Sequence, residues 1–279
     1  MHDEGKRERS GKGYGLIRTR CRRGSGDGAE TKEGSVAKSV MWYHQLFSRK
    51  TSMATISFKG RHFQQDMILQ SVRWYLAYAL SYRDIEELMA ERGFSVDHST
   101  INRWVLHYSP QLDAAFRRKK KRVGGRWRMD ETYIKVKGQW TCYYRVVDKQ
   151  GNTIDFLLTA TRDRTAARRF FKKAITNNGT PSLVNIDQSG ANTAGLQQVN
   201  REHHTCIKIR QCKYLNNIIE QDHRRIKRLT RPMLGFKNFY AAQRTLAGIE
   251  VMAMIKKGQM KIRAGKEHTP AQMFYALAA

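Results

Sequence analysis

Acidic residues are scarce in this 279-residue chain: 24 Asp and Glu stand against 52 Lys and Arg, a formal charge of +28. So large a cationic excess points to a polyanionic partner, most simply nucleic acid. Cysteine is also sparse. Four residues, Cys21, Cys142, Cys206 and Cys212, are too few to staple a chain this long, and they fit a reducing cytoplasm. With His203 and His204 they lack the paired Cys-x-x-Cys spacing of a structural zinc site. Long apolar runs are missing as well. Runs such as Trp74 to Leu80 reach seven residues, against the roughly 20 needed to span a bilayer. No apolar stretch follows the basic N-terminus as a signal peptide requires, so no membrane partner is expected. Hydrophobic residues nonetheless make up 40%, which excludes a wholly disordered polycation.

The first 57 residues hold 12 Lys and Arg, 6 acids and 8 of the 21 glycines without helical or strand period. Residues 1–57 are therefore expected to be a disordered basic extension, with Met53 as an alternative natural start. Periodicity begins at Phe58. Met67, Ile68, Val72, Tyr75, Leu76, Ala79 and Leu80 recur at helical spacing. Ser81 caps a second helix that Gly93 ends. Asp97 caps a third, with Ile101, Trp104, Val105 and Tyr108 as its buried stripe and Pro110 as its stop. Residues 58–110 thus outline a helix-turn-helix module. Ser99, Thr100, Asn102, Arg103 and His107 lie on its free face, able to reach phosphates and base edges. Residues 111–125 form a basic linker, in which Arg117, Arg118, Lys119, Lys120 and Lys121 are expected to follow phosphates.

Beyond Gly125 the period changes. Trp127–Val136, Trp140–Val147 and Thr153–Thr159 read as a three-stranded antiparallel meander. A helix (Arg164–Ile175), a short strand (Leu183–Ile186), a helix (Thr193–Asn200), a strand (Thr205–Ile209) and helices over Tyr214–Thr230 and Phe239–Ile255 follow. That order is the mixed α/β sheet of the ribonuclease-H-like fold over residues 126–258, behind the all-α module, with 259–279 as a tail. It gives three acids a common place: Asp130 on the first strand, Asp187 at the end of the fourth, and Glu220 on a late helix. Hard divalent cations take such oxygen ligands, and two ions roughly 3.5–4 Å apart can drive in-line displacement at phosphorus. Strand alternation sends Glu131 to the face opposite Asp130, so only one of the pair is expected to be a ligand. Lys227 follows Glu220 by two helical turns. With Arg224 it offers cations for DNA phosphate on the same polar face as His223.

Several motifs carry a resemblance. They are Phe58–Lys59–Gly60–Arg61–His62–Phe63, Val96–Asp97–His98–Ser99–Thr100–Ile101, Met129–Asp130–Glu131–Thr132–Tyr133, the run from Asn216 through Glu220–Gln221–Asp222–His223 to Lys227–Arg228, and Gly248–Ile249–Glu250–Val251–Met252. From about Phe58 to Gln259 the chain resembles bacterial insertion-sequence transposases of the IS-six family. The resemblance implies a DDE transposase acting on double-stranded DNA, with Asp130, Asp187 and Glu220 as metal ligands and Lys227 as the accompanying basic residue. It also implies two Mg²⁺ ions replaceable by Mn²⁺, terminal inverted repeats as donor, a separate target DNA, and a homo-oligomer of at least two chains. One stretch departs from the family's pattern. After the second aspartate a Lys-Ala-Pro-Ala-Tyr-like run is usual, whereas here Gln188–Ser189–Gly190–Ala191–Asn192 lacks the cation and the rigid turn. That departure supports the competing reading of a catalytically inert DNA-binding repressor or architectural protein.

Overall fold

The computed structural model describes residues 16–17, 56–60, 62–262 and 268–279. The expectations for residues 1–57 therefore lie largely outside the described residues, Met53 included. Leu16–Ile17 form a two-residue strand, β1, at one edge of the sheet, in a segment with no strand period.

Three helices come first: α1 (Gln65–Ala77), α2 (Tyr82–Ala90) and α3 (His98–Lys119). Ile68, Leu69, Val72, Tyr75 and Leu76 form the buried stripe of α1. A reciprocal Ser81–Asp84 capping box opens α2, and the Asp97 carboxylate accepts from the backbone N–H groups of Ser99 and Thr100 to open α3. The expected stop at Pro110 does not occur; α3 runs through it to Lys119. Proline removes the N–H that would reach the Leu106 carbonyl. Arg244 Nη1 donates to that carbonyl instead, at 2.8 Å, so the helix continues without a buried orphan acceptor.

The basic linker is corrected by the same extension. Arg117 Nε donates to Asp113 at 2.9 Å and Arg117 Nη2 to Asp155 at 3.1 Å. Lys119 Nζ donates to the Ala276 carbonyl, and Lys120 Nζ to the Ile154 carbonyl and Asn178. Burial draws the Lys120 pKa down to about 8. Three of the five cations expected on phosphates therefore bind the protein itself, while Arg118 and Lys121 are exposed.

The second half builds a six-stranded sheet from β1, β2 (Arg126–Val136), β3 (Gln139–Asp148), β4 (Thr153–Thr159), β5 (Leu183–Ile186) and β6 (Lys208–Gln211), in the order β1-β6-β5-β2-β3-β4. β2, β3 and β4 are antiparallel neighbours, and β5 and β6 run parallel to β2. This is the ribonuclease-H-like arrangement. Helices α4 (Arg164–Asn178) and α5 (Gly190–Glu202) cover one face, sharing a core with Trp127, Met129, Tyr144 and Val184. Helices α6 (Asn217–Thr230) and α7 (Phe239–Lys256) cover the other. There one continuous core joins Ile134, Val136, Tyr143 and Phe156 to α7 and to all three N-terminal helices. The short α8 (Pro270–Tyr275) buries Phe274 in that same core, so the segment read as a tail is packed. Gly248 on α7 lets the helix come close: a Cβ there would meet Leu76 at 2.6 Å and Ser109 at 2.7 Å. No helix among the described residues is long and apolar enough to cross a membrane.

One ion cluster welds α3 to β4. Asp155, whose side chain is fully buried, faces Arg117 and Lys173, the latter at 3.1 Å, and accepts from Asn177. Burial alone would raise its pKa, but the two cations overcome burial and hold it down at about 2. In the unfolded chain an Asp titrates near 3.9. The folded value is depressed, so the stabilisation is complete above about pH 4 and is lost as pH falls through about 2, worth about 2–3 kcal/mol. Asp155→Asn should lower unfolding free energy by at least that order at pH 7. In urea titrations the gap from the parent should shrink progressively between about pH 4 and pH 2.

Candidate active site

β2 supplies the first two acids. Its alternation turns Trp127 and Met129 toward α4 and α5, and Ile134 and Val136 toward α7. Asp130 follows the second set, and its Oδ2 lies 3.3 Å from His223 Nε2 on α6. Glu131 follows the first set, and its Oε1 accepts from Arg162 Nε at 2.8 Å and from Asn192 Nδ2 at 2.9 Å. β5 pairs with β2 only across Leu183–Asn185 and ends at Ile186. Asp187 is thus released at the C-terminal end of a parallel strand, where open α/β sheets place their ligand crevice. Its Oδ2 accepts from Arg162 Nη2 at 3.0 Å, and its Oδ1 from Asn192 Nδ2 and the Ser189 N–H, each at 3.1 Å.

Asp130, Glu131 and Asp187 each bring one carboxylate oxygen within 4.8 Å of the others. Glu131 thus reaches the same group as Asp130, although only one of the pair was expected to be a ligand. Alternation does send them to opposite faces, but past the end of β5 the edge of β2 away from β3 is unpaired among the described strands. Asp187 sits in the gap and meets both.

Burial pushes the Glu131 carboxyl pKa upward against the pull of Arg162 and Asn192. Burial likewise lowers the His223 pKa despite Asp130 beside it. Arg162, hydrogen-bonded to Glu131, is held even more firmly protonated than usual. Three converging carboxylates form the hard, all-oxygen donor set that suits Mg²⁺ or Mn²⁺. Asn192 contributes to the group through its amide N–H, which donates to both Glu131 and Asp187. The residues present therefore fit a divalent cation.

The other expected site residues are distributed around this group. Glu220 lies outside the three-acid group; it is exposed in the first turn of α6, one turn before His223. Arg224 is exposed, and Lys227 lines a cavity next to Tyr133 and Trp140. His223, expected on a polar face, is buried. Asp222 turns away into a buried network with Arg145 and Lys257. On α3, Ser99, Arg103 and His107 are exposed and Thr100 and Asn102 half-buried. Thr100, Arg103 and His107 line one hollow with Phe63, while Ser99 and Asn102 line another. Sequence reasoning missed Arg162 and passed over Asn192 as part of the departing stretch. A signal for Asn192 existed: with Gly195, Leu196 and Val199 it completes the buried i, i+3, i+4, i+7 stripe of α5, a polar residue leading an apolar face toward the strand ends.

A family model described as a DDE domain matches residues 124–259, which enclose the three acids. Fold and match together define a DDE-type catalytic domain on a ribonuclease-H-like sheet. The chain is 41% identical over 213 residues to the transposase for insertion sequence-like element IS431mec of Staphylococcus aureus, covering 74% of this chain and 92% of that one. It is equally similar to the transposase for insertion sequence element IS257 in transposon Tn4003 of the same species. The chain belongs to the IS-six family of insertion-sequence transposases. Among solved structures it is similar to the HTLV-2 integrase catalytic core in complex with magnesium, at 16% identity and a TM-score of 0.39 over 57% of this chain and 100% of that one. The catalytic core domain of BIV integrase gives 17%, 0.38, 55% and 95%.

A ligand that binds only the folded state raises its stability, so Mn²⁺ should raise the melting temperature of the full chain. Asp130→Asn or Asp187→Asn should remove most of that rise. Asn192→Ala, which frees both Glu131 and Asp187, should shift the Mn²⁺ dependence to about tenfold higher concentration.

Proposed function

We propose that the protein cleaves DNA strands at the terminal inverted repeats of an insertion sequence and joins the freed ends to target DNA. The meeting of Asp130, Glu131 and Asp187 at the open end of β5, in a chain of a transposase family, carries this reading. Two Mg²⁺ ions, or Mn²⁺ in their place, would lower the pKa of attacking water and stabilise charge on the oxygens around phosphorus.

Asp130 and Asp187 hold that charge from the sheet. Glu220 completes the set from α6, a helix tethered beside Asp130 through His223. Glu131 acts through Arg162 and Asn192, which orient both it and Asp187. Lys227 and Arg224 grip phosphates along α6, and Ser99, Thr100, Asn102, Arg103 and His107 read the end from α3. Arg118 and Lys121 add sequence-independent, salt-sensitive grip. Cleavage by water and attack by the resulting 3′-hydroxyl are both in-line displacements, so one site serves both without a covalent protein intermediate. The working form is a homo-oligomer of at least two chains, acting in the cytoplasm at the nucleoid. The inert-binder alternative rests on the altered stretch after Asp187. Asn192 of that stretch hydrogen-bonds two acids of the group, which favours a working site.

Strand transfer assayed with Mg²⁺ and matched inverted-repeat ends tests the reading. Asp130→Asn, Asp187→Asn and Glu220→Gln should each abolish joined product while end binding persists, and Glu131→Gln should retain some. Joining by Glu220→Gln at the parental rate would remove Glu220 from the ligand set. No joined product from the parent chain at any concentration would favour the inert binder, and cleaved but never joined product a nuclease of the same fold.

A further inference from the structure

Beside the acidic group lies a feature that strand chemistry alone does not use. The hairpin of β2 and β3, the C-terminal end of α6 and the loop after it enclose a cavity of about 690 Å³, lined by Tyr133, Trp140, Lys227, Arg231, Leu234 and Phe236. Its apolar wall is open to solvent: Trp140 is 69% exposed, Tyr133 42% and Leu234 88%. Large apolar side chains gathered at one exposed place mark a binding surface rather than ordinary solvated residues.

The wall is preformed. Phe236 N–H donates to the Lys135 carbonyl at 2.9 Å and Lys137 N–H to the Phe236 carbonyl at 2.8 Å, fastening the loop to the hairpin. Leu234 is held at φ +55°, a conformation that disfavours leucine, with its side chain turned outward. The fold therefore spends backbone strain to present an apolar group to water.

We propose that this cavity receives an unstacked base of the DNA strand held at the carboxylates, with that nucleotide's phosphate on Lys227 and Arg231. The proposal rests on the DNA-end reading above and adds a subsite to it. Aromatic faces stack on any base, and adjacent cations take the phosphate. Distance agrees along both walls. Tyr133 is three residues along the strand from Asp130, about 10 Å, and Lys227 is seven residues along the helix from Glu220, also about 10 Å. A neighbouring nucleotide can span that interval. A second copy of this chain is the weaker occupant, because Lys135, Lys227 and Arg231 at the cavity would meet another chain of charge +28.

The test compares binding of inverted-repeat ends that are fully paired with ends carrying one unpaired base at successive positions near the scissile phosphate. No metal is needed. An unpaired base is easier to extrude, and its stacking is what an aromatic wall rewards, so the parent should prefer one unpaired position by about tenfold. Trp140→Ala should bring that ratio near one, and Trp140→Phe should keep most of it. In the same complexes 5-iodouracil at the preferred position should photocrosslink to Trp140 or Tyr133. An unchanged preference in Trp140→Ala, or crosslinks confined elsewhere on bound ends, overturns the proposal and leaves the transposase reading standing. Loss of self-association in Trp140→Ala with the preference intact makes the cavity a contact between copies and also overturns it. Failure of the parent to bind even paired ends defeats the DNA-end reading itself, and the subsite falls with it.

Discussion

Arg145, on β3 and wholly excluded from water, has to be neutralised if this structure is to exist at all. Its Nε and Nη2 donate to the two carboxylate oxygens of Glu250 at 2.7 and 2.9 Å, and Nη2 also reaches Asp222 at 3.3 Å. Tyr143 donates to the same Glu250, and Lys257 pairs with Asp222. Such a network contributes little net energy compared with an apolar core, because each ion gives up its hydration. What it fixes is position. β3 carries the arginine, α7 one partner and α6 the other, so the three elements have one mutual setting. α6 is the helix that brings His223 against Asp130 and bears Glu220 and Lys227. The candidate site therefore depends on an ion network that none of its expected ligands joins.

The same logic redistributes the excess of positive charge. Composition suggests a uniformly cationic surface, yet Arg117, Lys119, Lys120, Arg145 and Lys257 are all bonded within the protein. Each such cation releases no counterion on DNA binding and so adds nothing to its salt dependence. The charge that remains outside, on the α3 face, on Arg118 and Lys121 and along α6, lies on parts that one core and one ion network join to the three acids.

Much of this was legible in the sequence. The meander over Trp127–Thr159, the Asp187 turn and the helices over Tyr214–Thr230 and Phe239–Ile255 follow from period and turn chemistry, which are local. What was illegible depended on partners distant along the chain. Pro110 ends a helix by local rules, and only Arg244, far downstream, supplies the donor that lets α3 continue. The run Arg117–Lys121 reads as solvated cations because the carboxylate that takes Arg117 lies on β4. Glu131 was set aside by an alternation rule that holds wherever a strand has neighbours on both sides. It ceases to separate side chains where β5 ends beside β2. The departure at Gln188–Asn192 looked like a loss because family pattern, rather than geometry, set the comparison.

That departure bears on how three acids can share so small a space. Two unit charges about 4 Å apart repel by about 4 kcal/mol at an effective dielectric constant of 20, and three carboxylates within 4.8 Å of one another multiply the problem. Burial is the main cause of the upward push on the Glu131 pKa, and the charge of Asp187 adds to it. Arg162 answers with one guanidinium bridging Glu131 and Asp187, and Asn192 with one amide bridging the same two. Asp130 receives neither. Among the contacts described it has only His223, whose own burial disfavours the charged form. Negative charge is thus compensated on one side of the group and left unmet on the other, the side toward α6 and Glu220.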